Sequence, residues 1–314
     1  MPYYPERRPD LVPAQQKPRP AQQRKKLLCL FLAVLACALV VWGAAGLIRY
    51  FSDLSASRQT AAELRSIYDQ PVPVTEAPAA DLTAVPVPPT AVPATEVPAD
   101  YGLLPAVPYP YNSSLRISDR FTDLRRKGKY ITGWLRMDSV DEPVVLKDNS
   151  YFLTRDATGK KNVNGAIFMD AGTRLETRPY TVILYGHNMK SGSMFGRLRK
   201  YRDGDYLRKN RFITFDTMYE DGRYAVFAAA EINVVPGTSG YFDIWSLDDH
   251  TRAGREAAIR KLESRAISGV AVDVQPEDQI LLLVTCVEDD DYRLIVAARR
   301  LRDGETESTL TYRK

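Results

Sequence analysis

The C-terminal two thirds of the chain consist of short apolar runs separated by polar turn residues. Each run is enriched in Val, Ile, Phe and Tyr and is bounded by Gly, Pro, Asn or Asp, which is typical of β-strands. Eight such runs follow one another: ITGWLRM, EPVVLK, GAIFMD, YTVILYG, FITFD, RYAVFAAAEINVV, ILLLVTC and RLIVAARRL. Many short strands with few helices predict a mostly β fold with peripheral helices, built on a closed β-barrel of about eight strands.

Two segments of this region show helical patterns instead. The first is SDRFTDLRRK, where Ser118 is a candidate N-cap and Gly128 ends the pattern. The second runs from Leu247 to Ala266 and carries apolar residues at helical spacing. We expect both helices to lie on the outside of the barrel.

A third apolar pattern, near the N-terminus, is continuous rather than periodic. Leu27 to Ile48 is 22 residues long without a charge, which is enough to cross a bilayer core of about 30 Å. Arg24, Lys25 and Lys26 precede it, and basic flanks stay on the cytoplasmic side. We predict an uncleaved single-pass anchor with the rest of the chain outside the cell. A cleaved signal peptide is the alternative, because AAG at 44–46 offers small residues for cleavage.

The net charge of +4 comes entirely from the segment before the predicted anchor. Residues 1–26 hold seven Lys/Arg and two Asp/Glu, so the remainder of the chain carries a charge of −1. The basic balance therefore concerns membrane orientation, and we expect no nucleic-acid partner.

Between the anchor and the strands the composition changes twice. A short helical pattern, AAELRSI, leads into a stretch with a proline every few residues, which favours extended conformers and forms no core. It is typical of a spacer. The predicted organisation is a cytoplasmic tail (1–26), a transmembrane anchor (27–48), an extracytoplasmic helix with a Pro-rich stalk (49–111) and a catalytic domain (112–314).

Cysteine and histidine usage narrows the chemistry of that domain. Cys29 and Cys37 lie in the membrane run, so Cys286 is the single exported thiol and no intrachain disulfide is expected. His187 follows a strand and opens the loop HNMKSGSMFG, whereas His250 lies in LDDHTRAG and reads as a surface or capping residue.

A cysteine and a histidine together suit nucleophilic catalysis, in which the imidazole exchanges a proton with the thiol. A zinc site is disfavoured, because a lone cysteine without CxxC or HxxxH spacing offers no ligand framework. The bland alternative is a buried, inert Cys286 with Arg293 in a surface ion pair.

The strand ending at Cys286 and the strand starting at Arg293 are joined by the acidic loop VEDDDY. If the strands form a hairpin, Cys286 and Arg293 stand opposite each other, with Cβ atoms about 5 Å apart. The arginine would then be near the sulfur in space, while the acids are near it only in sequence. A guanidinium there would favour a thiolate or stabilise an oxyanion.

From Phe121 to Leu301 the chain resembles the sortases, membrane-anchored cysteine transpeptidases of Gram-positive bacteria, and specifically class B. The resemblance rests on ITGWLRM, DNSYFL, GAIFMD, YGHNMKSGSMFGRLRKY and LLLVTC followed by an arginine. YGHNM with GSMF downstream is its most specific part. The Cys-to-Arg connection is shorter and more acidic than in many members of class B.

The resemblance implies roles for individual residues. His187 would be the acid/base, Cys286 the nucleophile and Arg293 the stabiliser of substrate backbone and oxyanion. The backbone N–H of Val287 would complete the oxyanion hole. Three further positions would contact the substrate, namely Asn149, Leu153 and Thr285.

The implied reaction is a double acyl transfer without metal or organic cofactor. The enzyme would cleave a Thr–X bond in the C-terminal sorting signal of an exported protein and pass the acyl group to an amine. That amine would belong to a peptidoglycan precursor or to a pilin lysine, and we expect the enzyme to be a monomer. Two alternatives stay open: a hydrolytic cysteine peptidase of the same fold, and a non-enzymatic stalked binding module.

Overall fold

The computed structural model describes residues 20–71, 102–138, 140–286 and 291–313. Its helices are α1 (Pro20–Tyr68), α2 (Asp119–Lys127), α3 (Gly204–Lys209) and α4 (Arg252–Glu263). Its strands are β1 (Ile131–Met137), β2 (Val140–Val145), β3 (Ile167–Met169), β4 (Thr181–Tyr185), β5 (Phe212–Thr217), β6 (Arg223–Asn233), β7 (Ala266–Gly269), β8 (Ile280–Cys286) and β9 (Tyr292–Arg300).

Eight of these strands form a closed barrel, as predicted. They pair in the order β5-β1-β2-β3-β4-β8-β9-β6, and β5 pairs with β6 to close the ring. β7 is added to the outer edge of β6. Most pairs are antiparallel, but β2–β3 and β4–β8 are parallel. Closure leaves the barrel strands without a free edge along the ring.

β8 shows why the strand runs are continuously apolar rather than alternating. Leu281 and Leu283 belong to one buried cluster, together with residues of α2 and β1. Ile280, Leu282 and Val284 face the other way and belong to a second cluster with residues of α4. Both faces of the strand are buried, so both need apolar side chains.

The second predicted helix is shorter than its apolar spacing indicated. A 3₁₀ helix covers Ile244–Asp248, α4 begins only at Arg252, and Ala266 already belongs to β7. The Asp249 carboxylate accepts hydrogen bonds from the backbone and hydroxyl of Thr251, and the Thr251 hydroxyl caps α4 by accepting from Gly254 N. These capping bonds set a new helix start.

The structure falls into two units, one ending at Ser52 and one starting at Asp53. In the first unit α1 carries exposed apolar side chains, and Lys25–Tyr68 is long and apolar enough to cross a membrane by length and composition. The part of α1 within the second unit packs on the barrel. Leu64 is 1% exposed, and the ring of Tyr68 stacks on Trp134 with 4.4 Å between centroids.

The predicted tail (1–26) lies largely outside the described residues, and the Pro-rich part of the stalk from 72 to 101 lies wholly outside them.

Candidate active site

The parallel pairing of β4 with β8 brings the candidate histidine and cysteine to one end of the barrel. Tyr185 is opposite Val284 in this pairing, and His187 and Cys286 each lie two residues further on. Parallel strands end at the same edge of a sheet, so the two segments leave it side by side. Two hydrogen bonds tie the segments together: Asn188 Nδ2 donates to Cys286 O at 2.8 Å, and Thr285 Oγ1 donates to Gly186 O at 2.7 Å.

The predicted hairpin register is confirmed. β8 and β9 pair in antiparallel fashion, with Cys286 directly opposite Arg293. The thiol of Cys286 is exposed, whereas Arg293 is half-buried and donates from Nη1 to Tyr292 O at 2.8 Å. A guanidinium across from the sulfur is therefore a consequence of strand register.

A cavity of about 370 Å³ opens at this end of the barrel. It is lined by Asn149, Leu153, Phe168, Tyr185, Gly186, His187, Val234, Ile244, Trp245, Val284, Thr285, Cys286 and Arg293. The structure thus brings together all the predicted site residues except Val287, which lies outside the described residues. A concave site with apolar walls and a few polar groups is typical of a ligand-binding site.

The ring of His187 is held by a backbone carbonyl. His187 Nε2 lies 2.7 Å from Leu153 O, and a carbonyl only accepts, so Nε2 carries a hydrogen. In the neutral ring, Nδ1 is then the basic nitrogen. Gly165 has φ +63° and packs so closely that a Cβ there would meet Leu153 O at 2.9 Å and His187 Cδ2 at 3.1 Å.

Behind the cavity wall lies an aspartate that sequence reasoning missed. The Oδ2 atom of Asp170 accepts hydrogen bonds from three wall side chains: Asn149, Tyr185 and Trp245. Burial raises the pKa of Tyr185, and the charge of Asp170 and the hydrogen bond to it act in the same direction. The motif GAIFMD contains this aspartate, but nothing in its spacing indicates partners so far along the chain.

Trp245 was also missed, because it lies just before the predicted helix from Leu247 to Ala266 and no motif marks it. It lies in the 3₁₀ helix Ile244–Asp248, and 58% of its surface is exposed at the cavity. His250, in contrast, is exposed and does not line the cavity. Among the described residues, no three His, Cys, Asp or Glu side chains come together in a way that would hold a metal ion.

Comparison with protein families gives a match over most of the barrel. A family model described as "Sortase domain" matches residues 136–301. Sortase B of Listeria monocytogenes is 30% identical over 184 residues, which cover 58% of this chain and 72% of that protein. Sortase B of Staphylococcus aureus is 26% identical over 194 residues, covering 59% of this chain and 76% of that protein.

Solved structures give the same result for the fold. Sortase B from B. anthracis in complex with AAEK1 superposes with a TM-score of 0.59 at 25% identity, covering 80% of this chain and 99% of that one. A Staphylococcus aureus sortase B-substrate complex superposes with a TM-score of 0.52 at 23% identity, covering 60% and 88% of the two chains. At that identity, the second likeness concerns the fold alone.

Proposed function

The chain belongs to the sortase family, in class B, and on that premise we propose that it is a membrane-anchored cysteine transpeptidase that uses Cys286, His187 and Arg293. One observation carries the proposal: His187, Cys286 and Arg293 line one cavity at the end of the barrel, with Cys286 and Arg293 paired across two strands. An inert cysteine would need none of these neighbours.

In the proposed first step, the sulfur of Cys286 attacks the carbonyl carbon of a Thr–X bond in a sorting signal. The proton from the thiol resides on Nδ1 of His187, since Nε2 is held by Leu153 O. The imidazolium then protonates the leaving amine as the C–N bond breaks, which leaves a thioacyl enzyme. The charge of Arg293 favours both the thiolate and the oxyanion that forms in between.

In the second step an amine attacks the thioester, and His187 accepts the proton that this amine loses. The C–S bond breaks, and the imidazolium of His187 returns this proton to the sulfur, so Cys286 is again a thiol and His187 is neutral. We propose an amine of a peptidoglycan precursor or of a pilin lysine as the acceptor. Asn149, Leu153 and Thr285 are proposed to contact the signal peptide from the cavity wall, and the backbone N–H of Val287 to complete the oxyanion hole.

The proposed location follows from α1. Its apolar stretch would cross the cell membrane once, with the basic tail (1–26) in the cytoplasm and the barrel outside. The Pro-rich stalk would hold the catalytic domain (112–314) away from the bilayer. Exported proteins and wall intermediates are both found on that side.

The decisive experiment measures ligation by the full chain in detergent micelles. A pool of fluorescence-quenched peptides, each with one fixed threonine before the scissile bond, is incubated with the enzyme and triglycine. We expect a thioacyl adduct on Cys286 and a ligated product. If the peptide is hydrolysed and not ligated, even at a high concentration of triglycine, the enzyme is a peptidase instead.

Three variants accompany this assay. Cys286→Ala and His187→Ala are expected to abolish turnover. His250→Ala is the matched control and is expected to stay within about threefold of the parent, as surface substitutions commonly do. Activity retained in His187→Ala but lost in His250→Ala would overturn the assignment of the histidines.

A further inference from the structure

Asp170 is a buried carboxylate placed directly behind the cavity wall. It follows β3, is 6% exposed, and its backbone N–H donates to Ile183 O at 2.9 Å. One carboxylate oxygen, Oδ1, accepts from Gly172 N at 2.8 Å. The side chain is therefore fixed by its own turn, and it does not line the cavity itself.

The other oxygen, Oδ2, collects three donors from separate parts of the chain. Asn149 Nδ2 lies at 3.2 Å, Tyr185 Oη at 2.9 Å and Trp245 Nε1 at 3.3 Å. All three donors line the cavity. They come from the loop before a 3₁₀ helix, from β4 and from the 3₁₀ helix Ile244–Asp248.

These bonds decide which polar atoms the wall presents. A carboxylate only accepts, so the Tyr185 hydroxyl must donate to Asp170, and its oxygen faces other groups as an acceptor. The Asn149 amide cannot flip, because its Oδ1 accepts from Ala171 N at 2.8 Å while its Nδ2 donates to Asp170. The indole N–H of Trp245 is turned inward, which leaves its ring at the surface of the cavity.

We propose that Asp170 is a positioning residue for the signal peptide, which sets the orientation of Asn149, Tyr185 and Trp245 on the cavity wall before the peptide binds. This inference rests on the proposed function. Charge-assisted hydrogen bonds are stronger than neutral ones, so one buried carboxylate can hold three side chains from distant segments in a single arrangement.

The test replaces Asp170 by Asn, which has the same shape. The Asn amide has one acceptor oxygen and one NH2 donor. In either orientation, its NH2 group therefore faces at least one N–H that donates to Asp170 in the parent. In the full chain, we expect KM for the best peptide of the threonine pool to rise about 10–100-fold, with kcat changed less than about threefold. Alkylation of Cys286 by iodoacetamide should keep its rate.

The matched control is Asp216→Asn. Asp216 is 4% exposed and accepts from Tyr68 Oη and Gly222 N, but it does not line the cavity. Asp216→Asn measures how much stability the barrel loses when a buried carboxylate is neutralised. Equal losses of thermal stability in both variants, with KM unchanged in Asp170→Asn, would show that Asp170 is structural only and would overturn the inference.

A spectroscopic readout separates the inference from the proposed function. The chain has three tryptophans, so 5-fluorotryptophan labelling gives three ¹⁹F resonances, and Trp245→Phe assigns one of them. We expect Asp170→Asn to shift the Trp245 resonance and to leave the other two in place. An unshifted Trp245 resonance would overturn the positioning role. A parent chain that forms no acyl enzyme would contradict the proposed function instead, with the fluorine spectrum still deciding whether Asp170 orients Trp245.

If Asp170→Asn does not fold, Trp245→Phe supplies the kinetic test, since it keeps an aromatic ring at the cavity but removes the indole N–H that donates to Asp170, together with part of the ring area. KM is then expected to rise by about 2–5-fold, the effect of one hydrogen bond. An unchanged KM in Trp245→Phe would overturn the inference.

Discussion

Gly165 packs against both the Leu153 carbonyl and the ring of His187 that this carbonyl holds. Its φ of +63° and the crowding around it leave no room for a side chain. We predict that Gly165→Ala pushes the Leu153 carbonyl away from the His187 ring and lowers kcat/KM about 100-fold or more, because small displacements of a catalytic group are costly. Steady-state ligation kinetics measure this.

Gly102→Ala is the control for backbone strain alone. Gly102 has nearly the same φ, +66°, but nothing lies within 4 Å of the position a Cβ would occupy. We expect Gly102→Ala to lose some stability, because alanine is strained at this φ, but to keep its rate of ligation. Similar kinetics in the two variants would mean that Gly165 does not act through His187.

Arg293 offers a second prediction at this scale. Arg293→Lys keeps the positive charge opposite Cys286 but loses the planar fork of donors. We expect the rate of thioacyl formation to fall about 100-fold, the loss seen when one oxyanion donor is removed. Near-normal acylation would show that charge alone suffices at this position.

Sequence reasoning brought together the three residues proposed to react, but it did not identify the aspartate behind them. Cys286, His187 and Arg293 stand at strand ends, where a pattern of strands and loops already indicates which residues meet. Asp170 also ends a strand, yet its partners lie 21, 15 and 75 residues away, at positions that only the closed barrel brings together. A buried acid at a strand end looks like an ordinary turn residue until its donors are known.

At the scale of elements, the end of α1 is part of the barrel's core. Leu64 is 1% exposed and belongs to the same buried cluster as Trp134. We predict that Leu64→Ala lowers the free energy of unfolding by about 2–5 kcal/mol, the usual cost of a cavity at a buried leucine. Denaturant unfolding of the full chain measures it.

Leu103→Ala is the matched control, since Leu103 is 61% exposed. It is expected to change the free energy of unfolding by less than about 0.5 kcal/mol. Equal effects at the two positions would mean that α1 does not contribute to the stability of the barrel.

Glu142 is an ionisable residue at the contact between α1 and the barrel, and it is expected to make the stability of that contact depend on pH. It lines a small cavity with residues of α1, among them Ser57 and Leu64. Burial raises its pKa to about 7, with Asp141 adding to the effect and Arg65 opposing it. A raised carboxyl pKa means that the folded state binds the proton more tightly than the unfolded state. The stability gained from this proton is therefore complete below pH 4.5 and is lost as the pH rises through 7.

We therefore predict that the parent chain loses stability between pH 5 and about 7.5 relative to Glu142→Gln, whose side chain stays neutral. Thermal unfolding at both pH values gives the comparison. Identical pH dependence in parent and variant would contradict the prediction.

The elements themselves were predicted unevenly. All eight apolar runs became barrel strands, because each is buried on at least one face and has turn residues on both sides. β7 was missed, since its four residues follow α4 without a break in the helical pattern and only the edge of β6 gives them a partner. The packing of residues 53–68 was missed because a helix that continues from a long apolar run gives no local sign that its end packs on a folded domain.

At the scale of the whole molecule, the barrel joins residues that are distant in the chain. His187 follows β4 and Cys286 ends β8, and β8 lies in the sheet between β4 and β9. The sequence permits a prediction of barrel closure from the number of strands, but not of the order of pairing, which depends on long-range contacts across the whole domain.

The late position of β8 has a consequence for the order in which the protein matures. A growing chain is synthesised from its N-terminus, so β4 and His187 exist long before Ile280 has been made. Until then, one edge of β4 waits for a partner nearly one hundred residues away, and such long-range pairing is intrinsically slow. The nucleophile thus arrives with β8, one of the last two strands of the ring. In the proposed mechanism, a nascent chain therefore lacks its nucleophile for most of its synthesis and stays inactive until β8 has joined the sheet.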